Sequence, residues 1–192
     1  MPARNQAALD FLLSRRSRPA KTLCEPVPDR ATLEQLLIAA ARTPDHGKLE
    51  PWRFVVLGKG AMPRLAQIAE QRGHALGLDT EQIAKGRSQF DQGHLAVAVI
   101  EINRQVEKIP TLEMTYSAGA VCLSLLNAAL AAGWGANWLS GWPSHDRGFM
   151  VDALGLANHE RIAGFIHIGT ETSAPPERPR PDVPAITTWV DA

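Results

Sequence analysis

Apolar positions along the chain follow two rhythms. Leu33, Leu36, Leu37, Ala40 and Ala41 recur at helical spacing and form one stripe. Asp29 stands where an N-cap belongs, and Pro44 disfavours helical backbone at Thr43, so a helix is expected between them. Asn5 to Ser14 reads the same way, with Ala8, Leu9, Leu12 and Leu13 on one side. Further helices are expected from Pro63 to about Arg72, from Thr80 to about Arg87, and from Asp146 to Leu154, where Gly155 stops the last. The second rhythm belongs to strands. Arg53 to Leu57 is closed by Gly58 and Gly60, Ala136 to Leu139 is short, and Arg161 to Gly169 is the last. Leu95 to Ile102 is almost uniformly apolar, which predicts a strand buried on both faces. Between Cys24 and Asp29 the chain reads as extended.

From Met114 to Ala132 there is no charged residue, nearly the length of a membrane-spanning helix. Thr115, Tyr116, Ser117, Gly119, Ser124 and Asn127 interrupt that run, and neither flank carries a cationic cluster. A buried helix, roughly Thr111 to Ala132, is the expectation. Strands alternating with helices place the chain in the α/β or α+β class.

At 192 residues and 45% hydrophobic, one core suffices, so residues 1–192 are expected to form one domain. Residues 171–192, rich in proline and charge, would be an extended C-terminal tail lying on another surface. Lys+Arg and Asp+Glu are both 20, which removes the basic excess that nucleic acid or anionic lipid binding requires. Small-molecule chemistry remains. Cys24 and Cys122 stand far apart and indicate no disulfide framework. No apolar signal core follows the N-terminus, so a cytoplasmic location is expected.

Several familiar chemistries fail on inspection. Gly58-Lys59-Gly60-Ala61-Met62-Pro63 imitates a dinucleotide fingerprint, but proline replaces its third glycine and the ribose-binding acid is missing. The six histidines show no metal-ligand pairing, and there is no Gly-x-Ser-x-Gly elbow. Ser144-His145-Asp146 is consecutive, and adjacent side chains do not form the line a triad needs; a turn and helix cap is expected there.

Three segments carry more. Ser14-Arg15-Arg16-Ser17-Arg18 ends the first helix, where cations either complement the helix dipole or form an anion grip. Arg42 to Phe54 is a polar loop, holding His46, that opens a strand with Pro51-Trp52. Gly133 to Trp142 sets three tryptophans among three glycines, which suits either a packing cluster or a platform for a flat ring.

In this order these segments resemble the nitroreductase family, most closely its compact single-domain subgroup, over Leu12 to about Asp182. The most specific pieces are Arg15-Arg16-Ser17, Ala41-Arg42-Thr43-Pro44-Asp45-His46 before Pro51-Trp52, and Ile162 to Thr170. The resemblance implies an α+β fold with helices around a central sheet, in an interlocked homodimer holding one FMN at each end of its interface. It implies that Arg15, Arg16 and Ser17 hold the ribityl phosphate and the pyrimidine side of the flavin. Arg42 and His46 would come from the other subunit. Trp138, Leu139 and Ser140 would line the ring, and a backbone N–H near Ser140-Gly141 would face flavin N5. Leu139 stands where one branch of the family has arginine; Arg178 and Arg180 match the tail pattern other members place on the same phosphate. No catalytic side chain and no metal are implied. The expected function is FMN-dependent NAD(P)H oxidoreduction of nitroaromatic, quinone or similar planar acceptors, by hydride transfer in two half-reactions. Two rivals stand beside it: the same fold acting on an unidentified metabolite, and a non-catalytic flavin-binding protein.

Overall fold

A computed structural model describes residues 3–191. Its elements, in chain order, are α1 (Gln6–Ser14), β1 (Leu23–Cys24), α2 (Arg30–Ala40), β2 (Trp52–Gly58), α3 (Met62–Ala75), α4 (Thr80–Asp91), β3 (Leu95–Ile102), α5 (Thr111–Ala131), β4 (Gly135–Leu139), α6 (Arg147–Leu154) and β5 (Glu160–Glu171). Caps explain several boundaries. Asn5, Asp29, Asp79 and Asp146 each accept a backbone N–H of the first helical turn, and Asp79 completes a capping box with Gln82. The expected cap at Asp146 is therefore present, and Ser144-His145-Asp146 lies at the turn entering α6.

All strand pairs are antiparallel. The order is β2-β3-β5, with both β4 and the two-residue β1 pairing to β5. β3 is buried at every position, as its apolar run predicts. Its pleat sends Ala96, Ala98 and Ile100 toward α3, α4 and α6, while Leu95, Val97 and Val99 face α2 and α5. A bulge keeps the two layers in register. Val99 faces Gly164 and Ile100 faces Ile162, so Ala163 is the extra residue of β5. Ile162 then joins Phe165 in one core cluster despite their odd spacing. The result is a mixed helix-and-sheet fold with a central antiparallel sheet and helices on both faces.

The long apolar helix is a core element. α5 buries Met114, Ser117, Ala118, Val121, Cys122, Leu125, Leu126 and Ala129 against α2 and the sheet. It is long and apolar enough to cross a membrane by length and composition, yet this face is spent on the core. Burial pushes the Cys122 thiol up to about 12. In the tail, residues 176–191 are exposed throughout, and Arg180 touches its own chain at the Arg15 carbonyl.

Candidate active site

The site grows along β4. Its far end, Leu139, continues through Ser140 and Gly141 into a short 3-10 turn over Trp142–Ser144. This end walls a cavity of about 640 Å3, closed by Pro19, Ala20 and Lys21 on one side and by Gln82, Lys85 and Gln89 of α4 on another. Trp142 fixes α4 in place: its Nε1 donates to the Gln82 carbonyl at 3.0 Å. A Cβ at Gly86 would fall 2.1 Å from that nitrogen, so only glycine admits the indole there.

The near end of β4 meets the basic segment. Arg15, Arg16, Arg18, Gly133, Trp134 and Glu171 line a second cavity of about 280 Å3. Arg15 Nη2 donates to Ser17 Oγ at 3.0 Å, and Arg180 from the tail reaches the Arg15 carbonyl at 3.5 Å. The Nε atoms of Arg15 and Arg16 are buried with no hydrogen-bond partner. Burial, then Arg180, then Arg16 lower the Arg15 pKa, the signature of cations gathered around one spot. Glu177 is drawn into the same field. Its carboxyl is held below the usual range by the Arg178 N–H first, then by Arg180 and Arg16.

Two bonds splice these ends together. Arg18 N–H donates to the Ala136 carbonyl and Asn137 Nδ2 donates to the Arg18 carbonyl, each at 2.8 Å. With a strand rise of about 3.3 Å per residue, Gly135 and Ser140 stand roughly 16 Å apart. A basic cavity at the start of β4 and a larger cavity at its end thus lie along one strand.

The structure brings together Arg15, Arg16, Ser17 and Arg180, and sets Leu139, Ser140 and Gly141 past the other end of β4, in the wall of the larger cavity. It does not bring Arg42 and His46 to either cavity. His46 Nδ1 pairs with Glu113 Oε2 at 2.6 Å, and Thr43 Oγ1 lies 3.0 Å from Ser124 Oγ, so this loop runs beside α5. Glu113 sits in the first turn of α5, whereas Leu130 at its end lines the arginine cavity. Seventeen residues at 1.5 Å each separate them by about 25 Å. Arg178 is exposed beside Arg180. Trp138 turns its indole to the opposite side of β4, over Gly164, where a Cβ would fall 2.0 Å from Nε1. The three tryptophans therefore divide: Trp134 and Trp138 pack on the α5 side, and Trp142 lines the main cavity.

Lys21, Gln82, Lys85 and Gln89 are cavity residues that sequence reasoning missed. The signal was faint but present: positions 82, 85 and 89 share one helical face, and Lys21 extends the basic run beyond Arg18.

Comparison with known proteins agrees with this architecture. The model of the nitroreductase family matches residues 13–170. The Escherichia coli (strain K12) protein "Putative NAD(P)H nitroreductase YdjA" is 33% identical over 163 residues, 85% of this chain and 87% of its own. A Haemophilus influenzae "Putative NAD(P)H nitroreductase" is 30% identical over 165 residues, 85% and 88% of the two chains. Among solved structures, a nitroreductase-like protein from Bacillus cereus superposes with a TM-score of 0.79 at 21% identity over 100% of both chains. A Desulfovibrio desulfuricans "putative nitroreductase in complex with fmn" superposes at 0.76 and 17% identity, over 99% of this chain and 100% of the other. The chain belongs to the nitroreductase family, oxidoreductases that use FMN with NAD(P)H as reductant.

Proposed function

We propose that this chain is an FMN-dependent NAD(P)H oxidoreductase that reduces nitroaromatic, quinone or similar planar acceptors in two half-reactions at one flavin face. The observation that carries the reading is the pair of buried, partnerless guanidinium nitrogens of Arg15 and Arg16, one strand-length from the Leu139–Trp142 cavity. A phosphate answers such a pair in charge and geometry. A ring joined to that phosphate by a flexible chain would then lie along β4. The cofactor therefore fits the residues present.

Bound flavin supplies the hydride chemistry; the protein supplies position and electrostatics. Arg15, Arg16 and Ser17 hold the phosphate and the pyrimidine side. Arg178 and Arg180 add the charge that Leu139 does not carry. Leu139, Ser140 and the backbone of Trp138 would line the ring, and the Ser140-Gly141 backbone would offer it an N–H donor. Lys21 and Lys85 would add positive potential around a ring bound in that cavity.

The site is completed by a second copy of the chain, within a single unit spanning residues 1–192. His46, paired with Glu113, lies about 25 Å along α5 from the helix end that lines the arginine cavity, and neither Arg42 nor His46 lines that cavity or the larger one. The outer face of α5 carries Leu112, Tyr116 and Leu123 into solvent, and Leu12, Leu13 and Ile38 are exposed as well. Homodimerisation covers this apolar surface and delivers the partner's loop to the flavin.

The deciding experiment is the visible spectrum of the purified protein before and after anaerobic NADH and then NADPH. Flavin bands that bleach support the reading. A protein that stays colourless after incubation with FMN sinks it, and bands that refuse to bleach leave a non-catalytic flavin binder. A light-scattering mass equal to one chain removes the shared site. If Arg178→Ala with Arg180→Ala binds FMN as tightly as wild type, the tail has no part in the phosphate grip.

A further inference from the structure

One side-chain contact joins the main cavity to a third cavity, of about 430 Å3. Ser140 lines the first and His145 lines the other, and Ser140 Oγ lies 3.2 Å from His145 Nε2. The turn at Trp142 makes this contact. His145 N–H and Asp146 N–H both bond the Trp142 carbonyl, at 2.9 and 3.0 Å, which folds position 145 back onto position 140. Both residues are exposed, so the imidazole exchanges protons with water.

The charged groups around His145 are otherwise engaged. Asp146, in its own turn, is gripped by Arg72 of α3 at 2.8 and 3.3 Å. Glu101 of β3, across the third cavity, is gripped by Arg161 of β5 at 2.7 and 2.9 Å, with Thr115 of α5 bonded to both. Arg147, next in its own element, donates to the Glu160 and Leu156 carbonyls. Neither carboxylate is a bonded partner of the imidazole, whereas Ser140 is.

Reducing a quinone takes two electrons and two protons. Hydride from the flavin brings both electrons and one proton, so a second proton must come from elsewhere. We propose that the Ser140 hydroxyl gives this proton to the acceptor in the main cavity and that His145 replaces it. The proposal rests on the flavin reading above. As the Ser140 O–H bond breaks toward the acceptor oxygen, the His145 Nε2–H bond of the imidazolium breaks toward Ser140 Oγ. The hydroquinone leaves with two electrons and two protons; neutral His145 is reprotonated from water. Ser140 is the catalytic donor, and His145 is a positioning and proton-supplying residue acting through it.

Ferricyanide takes electrons without protons, so it serves as the internal reference. Pre-reduced holoenzyme is mixed with a benzoquinone or with ferricyanide across pH. His145→Gln keeps a hydrogen-bonding amide beside Ser140 but holds no titratable proton. The quinone-to-ferricyanide rate ratio is expected to fall about 100-fold in His145→Gln and in Ser140→Ala. In wild type the quinone rate should depend on pH, and in His145→Gln it should lose that dependence. A separate readout needs no turnover: a phenol titrated onto the oxidised holoenzyme and followed by its long-wavelength charge-transfer band. Its binding should depend on pH in wild type and lose that dependence in His145→Gln. A flavin-loaded protein whose ratio is unmoved, or whose two rates fall together, overturns this inference alone. A wild-type chain that takes up no FMN overturns the cofactor reading and this inference with it.

Discussion

Asn137 Nδ2 donates to the Arg18 carbonyl at 2.8 Å, and through that bond β4 holds the basic segment in place. The bond spans 119 residues of sequence and joins the phosphate-binding end of the proposed site to its ring-binding end. Asn137→Ala removes the donor while leaving the β4 backbone paired to β5. Loss of one such bond costs about 1 kcal/mol, so FMN is expected to bind roughly 5-fold more weakly while riboflavin, which lacks the phosphate, changes less. Fluorescence titration with both ligands checks this. Equal weakening of the two would mean that Asn137 supports the ring end alone.

Gly164 and Trp138 make a tighter demand. The indole occupies the place of a Cβ, beside the bulge at Ala163 that keeps β5 in register. Gly164→Ala forces that ring to move within a packed layer, and overpacking of this kind costs about 1–3 kcal/mol. A lowered Tm is expected, and pairing the change with Trp138→Ala should recover part of the loss. A Gly164→Ala protein as stable as wild type would contradict the packing.

His167 sets an acid limit. It is buried in β5 with Nε2 unpartnered, and burial lowers its pKa from 6.5 to about 4. Below 6.5 the unfolded chain takes a proton that the folded chain refuses. Stability therefore falls as pH drops from 6.5 to 4, by up to about 3 kcal/mol, and this contribution levels off below that. Glu160 acts lower: Arg53, forked onto it at 2.6 and 3.0 Å, holds its pKa down from 4.5 to about 2. That contribution is complete above 4.5 and is lost as pH falls toward 2. Urea unfolding at pH 7, 5.5 and 4 should show the first loss, and His167→Leu should flatten it. An unchanged slope in the variant would assign the acid limit to other groups.

What was legible in the sequence follows from how local its causes are. β3 announced itself because both of its faces are buried, so no polar residue interrupts Leu95 to Ile102. α2 was readable from an apolar stripe and a cap. β1 was not, because two residues become a strand only through Leu23 and Cys24 pairing with Glu171 and Thr170. β5 ran two residues past its expected end for the same reason. Trp138 was read as facing the flavin, although the period-two pleat already placed it opposite Asn137 and Leu139. The Ser140–His145 contact had no local signal, since it depends on the turn at Trp142. Arg15-Arg16-Ser17 was legible as a motif, but only the fold shows Arg180 returning to the Arg15 carbonyl.

The sharpest test of a shared site uses two defective chains. In the proposed dimer each flavin takes Arg15 and Arg16 from one copy and Arg42 from the other. A chain with Arg15→Ala and Arg16→Ala, and a second chain with Arg42→Ala, should each form dimers that bind FMN poorly. In a mixed dimer, one site joins the two damaged segments and is worse than either. The other joins the intact arginines of the second chain to the intact loop of the first. Random reassembly of equal amounts should restore about a quarter of wild-type sites, since half the dimers are mixed and each holds one intact site. FMN stoichiometry after co-refolding measures this without assuming any acceptor. If mixing restores no binding although each parent is defective, all three arginines act within one subunit. The loop at Arg42 would then have to reach the arginine cavity by a rearrangement of its own chain.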